Sequence, residues 1–283
     1  MNLRKSVFSG AWYPAGSRAC EDQIRQFLAA GPNQPPSLAN PVGGIVPHAG
    51  WTFSGSVASN VIHRLSQSTS PDVVVVFGMH LHRGSPRYMM PEGHWQTPFG
   101  PLAVDTRLAG ELIRRHPFEL ETTTRFQRDN TIELQMPFIR YFFKNARVVA
   151  MGVPPTAETL AVARSVVAIA REIDLDIVIL GSTDLTHYGP NYGFTPKGHG
   201  PPAVAWARQE NDRRVIDAML RMDPQAVLRE GLDNQNACCC GAAAAAIAAA
   251  KALGAQQGEK LDYASSYDIS PGDSFVGYVG VIF

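Results

Sequence analysis

The sequence is sparing with cysteine: four in 283 residues, three of them consecutive at Cys238, Cys239 and Cys240. Adjacent cysteines pair only through a strained ring, so the clump points away from a disulfide framework. A thiol site or a run of small buried residues remains. Charge of one sign is missing too. Twenty-five basic side chains balance twenty-five acidic ones, and no Lys/Arg run occurs. Nucleic acids and anionic membranes select for basic excess, so neither is an expected partner. No apolar stretch reaches the roughly 18 residues of a membrane-spanning helix, and the start lacks an apolar signal core, which predicts a cytoplasmic protein. No glycine-rich phosphate loop follows a strand-like run. Gly181-Ser182-Thr183-Asp184 is no nucleophile elbow either, so nucleotide and serine-hydrolase chemistry are disfavoured.

What the sequence does have is short, continuous, β-branched runs: Gly43 to Pro47, Asp72 to Phe77, Arg147 to Val153 and Asp176 to Leu180. Strands apolar without alternation are covered on both faces, as in parallel α/β sheets. Helical patterns lie among them at Ala19 to Ala30, Ser56 to Gln67, Thr106 to Arg115, Thr131 to Phe143, Ala157 to Ile173, Ala203 to Met222 and Ala242 to Leu253. Gly272 to Phe283 reads as a late antiparallel strand. The pattern predicts an α/β layered sandwich, with a mostly parallel, mixed central sheet flanked by helices. The Ala-rich tract 242–250 predicts a tightly packed buried helix. Pro- and Gly-rich stretches at 31–42 and 189–202 read as surface loops that separate no halves, so residues 1–283 are expected to form one domain.

The chemistry-bearing residues fall where such strands end. His48 follows the first run, His80 and His82 the second, and Asp184 and His187 the run ending at Leu180. In open α/β sheets, sites form beyond the carboxyl ends of parallel strands. If these strands are neighbours, the histidines converge on one crevice. His63, His94, His116 and His199 lack this placement and read as ordinary. Two imidazoles plus one anionic ligand suit a non-haem iron site. Cys238 to Cys240 are candidates for the anion, since a helix N-terminus favours the thiolate. Successive helical residues point about 100° apart, so one cysteine is expected to face the crevice. Glu133 is the carboxylate alternative, against an ordinary exposed helix position. Asp184 and His187 could form a base and its orienting partner, or a cap and a backbone-bonded imidazole. Trp12, Tyr13, Trp51, Phe53 and Tyr188 could line an apolar pocket or lid the core.

These motifs resemble those of the Memo family, the B protein of the AmmeMemoRadiSam gene set. The likeness runs nearly end to end, through Ser9-Gly10-Ala11-Trp12-Tyr13-Pro14, Pro47-His48-Ala49-Gly50-Trp51-Thr52-Phe53-Ser54-Gly55, Thr97-Pro98-Phe99-Gly100 to Asp105, and Ser182-Thr183-Asp184-Leu185-Thr186-His187-Tyr188-Gly189. The resemblance implies a fold like that of class III extradiol dioxygenases, and a metal held by two histidines and a cysteine. Carried over by motif, the ligands would be His48, His82 and Cys238, with His187 and Asp184 as catalytic pocket residues. The sequence departs from the family pattern in three places. A pocket histidine is Asn130 here, an adjacent histidine pair is split by Leu81, and the Cys-Gly step is Cys238-Cys239.

The expected function is therefore that of a mononuclear metal protein. Its cation would be iron, with copper or zinc as alternatives, and it would carry out dioxygenase-like redox chemistry on a small-molecule substrate. The alternative is a non-enzymatic binding module on the same fold, recognising a peptide, a metabolite or the radical enzyme encoded with the family.

Overall fold

The computed structural model describes residues 2–31 and 37–283, so the loop expected over 31–42 lies partly outside the described residues. Six strands carry the main sheet: β1 (Gly43–Val46), β2 (Val73–Gly78), β3 (Arg147–Gly152), β4 (Ile177–Ser182), β5 (Glu259–Ser265) and β6 (Phe275–Ile282). The central order β1-β4-β2-β3 is parallel throughout. β6 pairs antiparallel with β1, and β5 with β6. Short strands at His187–Tyr188 and at Tyr88–Met89 and Glu119–Leu120 extend the two sides. The sheet is thus mixed around a parallel centre, as the continuous apolar runs predict. Every residue of β2 and β6 is buried, because layers cover both faces.

Helices α1 (Ser17–Ala29), α2 (Trp51–Ser68), α3 (Thr106–Arg115), α4 (Ala157–Glu172) and α5 (Cys240–Leu253) supply most of those layers. The helix expected over Thr131 to Phe143 is two short pieces, Asn130–Glu133 and Met136–Phe142, with Pro137 opening the second. The one expected over Ala203 to Met222 runs from Pro201 to Leu220 with a wider π turn over Ala207–Asn211. β5 and the helix Pro224–Asn234 were not legible in the pattern. Among the described residues, no helix is long and apolar enough to cross a membrane.

The alanines of α5 have a geometric purpose. Residues Cys240 to Ala250 are all buried, and the helix lies unusually close to its neighbours. A Cβ built on Gly181 of β4 would stand 2.7 Å from Ala246 Cβ and 2.9 Å from the Ala242 carbonyl oxygen. A Cβ on Gly241 would meet the Pro154 backbone at 2.8 Å. Small side chains on both sides let the helix start sink toward the strand ends. A second anchor holds the loop after β4. Asp212 Oδ1 accepts from the backbone N–H and hydroxyl of Thr186, and Asp212 Oδ2 accepts from Tyr263 at 2.7 Å. Burial pushes the Asp212 carboxyl up to about 6, although these donors pull against it.

Two outcomes follow. Gly181→Ala should cost about 1–3 kcal/mol in denaturant unfolding, because its methyl meets backbone and Cβ atoms rather than flexible ends. A change under about 0.5 kcal/mol would remove the close-packing explanation. Asp212 binds its proton more tightly when folded than at its ordinary value of 3.8. Its contribution is therefore fully present below about pH 4 and is lost as pH rises through about 6. Relative to wild type, Asp212→Asn should gain up to about 3 kcal/mol of stability between pH 4 and pH 7, read from urea titrations across that range. A flat difference would contradict the raised carboxyl.

Candidate metal centre

The level register of the parallel strands builds the site. Val46 pairs with Ser182, and Phe77 with Gly181, so β1, β4 and β2 end side by side. Each then delivers a side chain to one crevice. His48 is two residues past the end of β1, and His80 is two residues past the end of β2.

His48 is 1% exposed, and its orientation is set by a relay of hydrogen bonds. Ser182 donates its only hydroxyl hydrogen to the Thr131 carbonyl at 2.7 Å. The Ser182 oxygen can then only accept, and His48 Nδ1 lies 2.9 Å from it. Nδ1 therefore carries the hydrogen, and the Nε2 lone pair faces Cys238 Sγ at 3.3 Å. Such support of the far ring nitrogen is the usual way that proteins orient a metal-binding imidazole. Burial alone would lower the His48 proton affinity, but the Asp184 and Cys238 charges outweigh it and raise it.

His80 reaches the crevice through a strained turn. Met79 has φ +74°, uncommon for a residue with a side chain. The conformation is held by the Met79 N–H donating to Thr131 Oγ1 at 2.6 Å. Gly152 makes the room, since a Cβ there would fall 2.1 Å from the Met79 sulfur. Asp129 Oδ2 then accepts from the His80 backbone N–H and lies against its Nδ1, both at 3.1 Å, which leaves Nε2 for the cluster. Burial would raise the Asp129 carboxyl, yet the His80 and Thr131 hydrogen bonds hold it down to about 2. Burial would lower His80, but the hydrogen bonds to Asp129 and Cys238 lift it to about 10.

His82, the second ligand implied by the family motif, does not join this group. It is exposed and begins a turn of its own, with Nδ1 accepting from the Gly84 N–H at 3.1 Å and its carbonyl accepting from Ser85. The turn at Met79 folds the chain back at residue 80, so residue 82 is already leaving the crevice. The second imidazole at the cluster is His80. Placement relative to the strand end pointed to it, because His48 and His80 share the same offset.

Two cysteines face the crevice where one was expected. The helix begins at Cys240, so Cys238 and Cys239 precede it, and helical spacing does not govern them. Their sulfurs lie 3.8 Å apart. Cys240 turns away and packs against Gly231. Cys238 Sγ accepts from the Asp184 N–H at 3.3 Å, while the Cys238 N–H donates to the Asp184 carbonyl at 3.1 Å. Burial would raise the Cys238 thiol, but Cys239 and the two imidazoles hold it well below the usual range. Burial and the neighbouring sulfur push Cys239 the other way. Ligand atoms of His48, His80, Cys238 and Cys239 all lie within 4.8 Å of one another. Two imidazoles, one oriented lone pair and a favoured thiolate are the donor chemistry of a transition-metal site.

His48 and His80 line a cavity of about 530 Å³, walled also by Trp12, Phe53, Asn130, Asp184, His187 and Tyr192 among others, with the two cysteine sulfurs grouped behind the imidazoles. Trp12 and Phe53 are exposed to it, whereas Tyr13, Trp51 and Tyr188 belong to the core. Trp51 stacks on Phe138 and Tyr188 on Phe275. Asp184 does not orient His187. Its Oδ1 accepts from the His48 backbone N–H at 2.7 Å, and His187 Nδ1 instead donates to the Leu185 carbonyl at 3.1 Å. Asn130 Nδ2 donates to the His48 carbonyl at 2.8 Å. Glu133 is neither exposed nor a ligand. It accepts from Val7, Phe8 and Tyr13 and clamps the N-terminal segment.

Comparison with known proteins agrees with this chain's motifs. Residues 4–282 match the family described as Memo-like protein. A MEMO1 family protein of Pyrobaculum arsenaticum is 33% identical, covering 100% of this chain and 99% of that protein. One of Methanopyrus kandleri is 32% identical over 99% and 98% of the two chains. Among solved structures, an uncharacterized protein from Escherichia coli K12 shares the fold, with a TM-score of 0.54 at 15% identity, covering 85% of this chain and 98% of that one. A family match over nearly the whole length, with relatives equally long, makes this chain a member of the Memo family.

Proposed function

We propose that the protein is a mononuclear metal protein that acts on a small organic molecule held in the cavity above His48, His80 and Cys238. One observation carries the reading. Two strand ends and the segment before a helix, distant in sequence, bring the His48 and His80 imidazoles and the Cys238 sulfur within 4.8 Å of one another, and both imidazoles line a cavity. The bound ion would supply redox or Lewis-acid chemistry. The resemblance implies iron and dioxygenase-like oxidation, and the sulfur admits copper or zinc.

The chain's own residues supply the rest. Ser182 and Asp129 fix the far nitrogens of the two imidazoles. The Asp184 N–H stabilises charge on Cys238 Sγ. Trp12 and Phe53 offer apolar surface to the bound molecule. With Nδ1 tied to Leu185, His187 keeps Nε2 free to hold or move a proton in the cavity. A second reading, a binding module without catalysis, is favoured by Asn130, an amide that moves no proton at the cavity wall.

Protein purified without oxygen and offered Fe²⁺, Cu⁺ or Zn²⁺ should take up one ion per chain. His48→Ala, His80→Ala and Cys238→Ser should each lose it, while His82→Ala and His187→Gln should keep it. Elemental analysis with circular dichroism as a folding control decides. A folded wild type that takes up none of the three, or an ion lost with His82 and kept without His80, would overturn this reading.

A further inference from the structure

We propose that Cys239 is a fourth donor, so that the centre is a two-imidazole, two-thiolate site for a thiophilic d10 cation, copper(I) or zinc. The inference rests on the metal-centre reading above and names the class of ion it takes. Consider the separations that four-coordination demands. With metal–sulfur bonds of about 2.3 Å and metal–nitrogen bonds of about 2.0–2.1 Å, tetrahedral angles put two sulfurs about 3.8 Å apart and a sulfur and a nitrogen about 3.5 Å apart. The Cys238 and Cys239 sulfurs stand 3.8 Å apart, and His48 Nε2 stands 3.3 Å from Cys238 Sγ. His80 completes the group within the same 4.8 Å span.

The backbone around Cys239 is built to hold its side chain there. Cys239 sits one residue before the helix, with φ −122° and ψ 51°, and its N–H donates to Thr183 Oγ1 at 3.1 Å. Thr183 in turn donates to the Asp184 carbonyl at 2.8 Å, which ties Cys239 to the β4 exit that also carries Asp184. The side chain is 4% exposed, so its sulfur faces the cluster instead of solvent. Two thiolates and two imidazoles in a tetrahedral arrangement suit soft or borderline ions.

Co²⁺ serves as the spectroscopic probe, with Zn²⁺ and Cu⁺ as the loaded ions. X-ray absorption of the zinc- or copper(I)-loaded wild type should count two sulfurs and two nitrogens. In the Co²⁺ form, Cys239→Ser and Cys239→Ala should each lower the sulfur-to-cobalt charge-transfer band by about half, since one of two thiolates is removed. Both variants should hold Zn²⁺ at least about tenfold more weakly in chelator competition, a loss already typical of outer-shell changes. Cys240→Ala should alter neither. One sulfur in the wild-type spectrum, or an unchanged band in both Cys239 variants, would overturn it while leaving the three-ligand centre standing. A wild type that binds no ion would overturn both. The wild-type sulfur count decides even if the variants fail to fold.

Discussion

The shared level of three parallel strand ends is the constraint on which the site depends. Because β1, β4 and β2 pair in register up to Val46, Ser182 and Phe77, the residues that follow emerge at one height. His48, Asp184 and His80 then need only short turns to meet. A one-residue slip of any strand would reverse which face its side chains address. The fourth contributor, the segment before α5, reaches the same height because alanines and glycines let that helix approach β4 and Pro154 closely. Packing of the smallest side chains thus positions the most reactive ones.

Around this frame, hydrogen bonds set which atom of each group is available. The chain Thr131–Ser182–His48 has one consistent arrangement of hydrogens, and it leaves the His48 Nε2 lone pair toward Cys238. Thr131 also braces the strained turn at Met79 and, with Asp129, the entry of His80. One short helix, Asn130–Glu133, therefore supports both imidazoles, holds the His48 carbonyl through Asn130 and anchors the N-terminal segment through Glu133. Its four residues carry more of the site than their length suggests.

Much of this was legible in the sequence. Continuous β-branched runs mark buried parallel strands, and histidines at their exits mark the crevice. What was not legible has identifiable causes. The family motif points to His82, whereas the positive φ at Met79 that brings His80 inward depends on room left by Gly152 from another strand. The second thiol is hidden from helical spacing because Cys238 and Cys239 lie just outside the helix. Asp184 reads as a partner of His187 by its three-residue spacing. The loop instead turns its carboxylate back to the His48 backbone. Glu133 looked exposed on a helix, but its partners lie more than a hundred residues away in sequence.

The most direct test is anomalous diffraction from crystals grown with zinc or copper(I) and recorded at the edge of that metal. A single strong peak within bonding distance of His48 Nε2, a His80 ring nitrogen and Cys238 Sγ is the expected result. A peak at His82, or a fully formed crevice with no anomalous signal, would contradict the central claim that these strand ends assemble a metal centre.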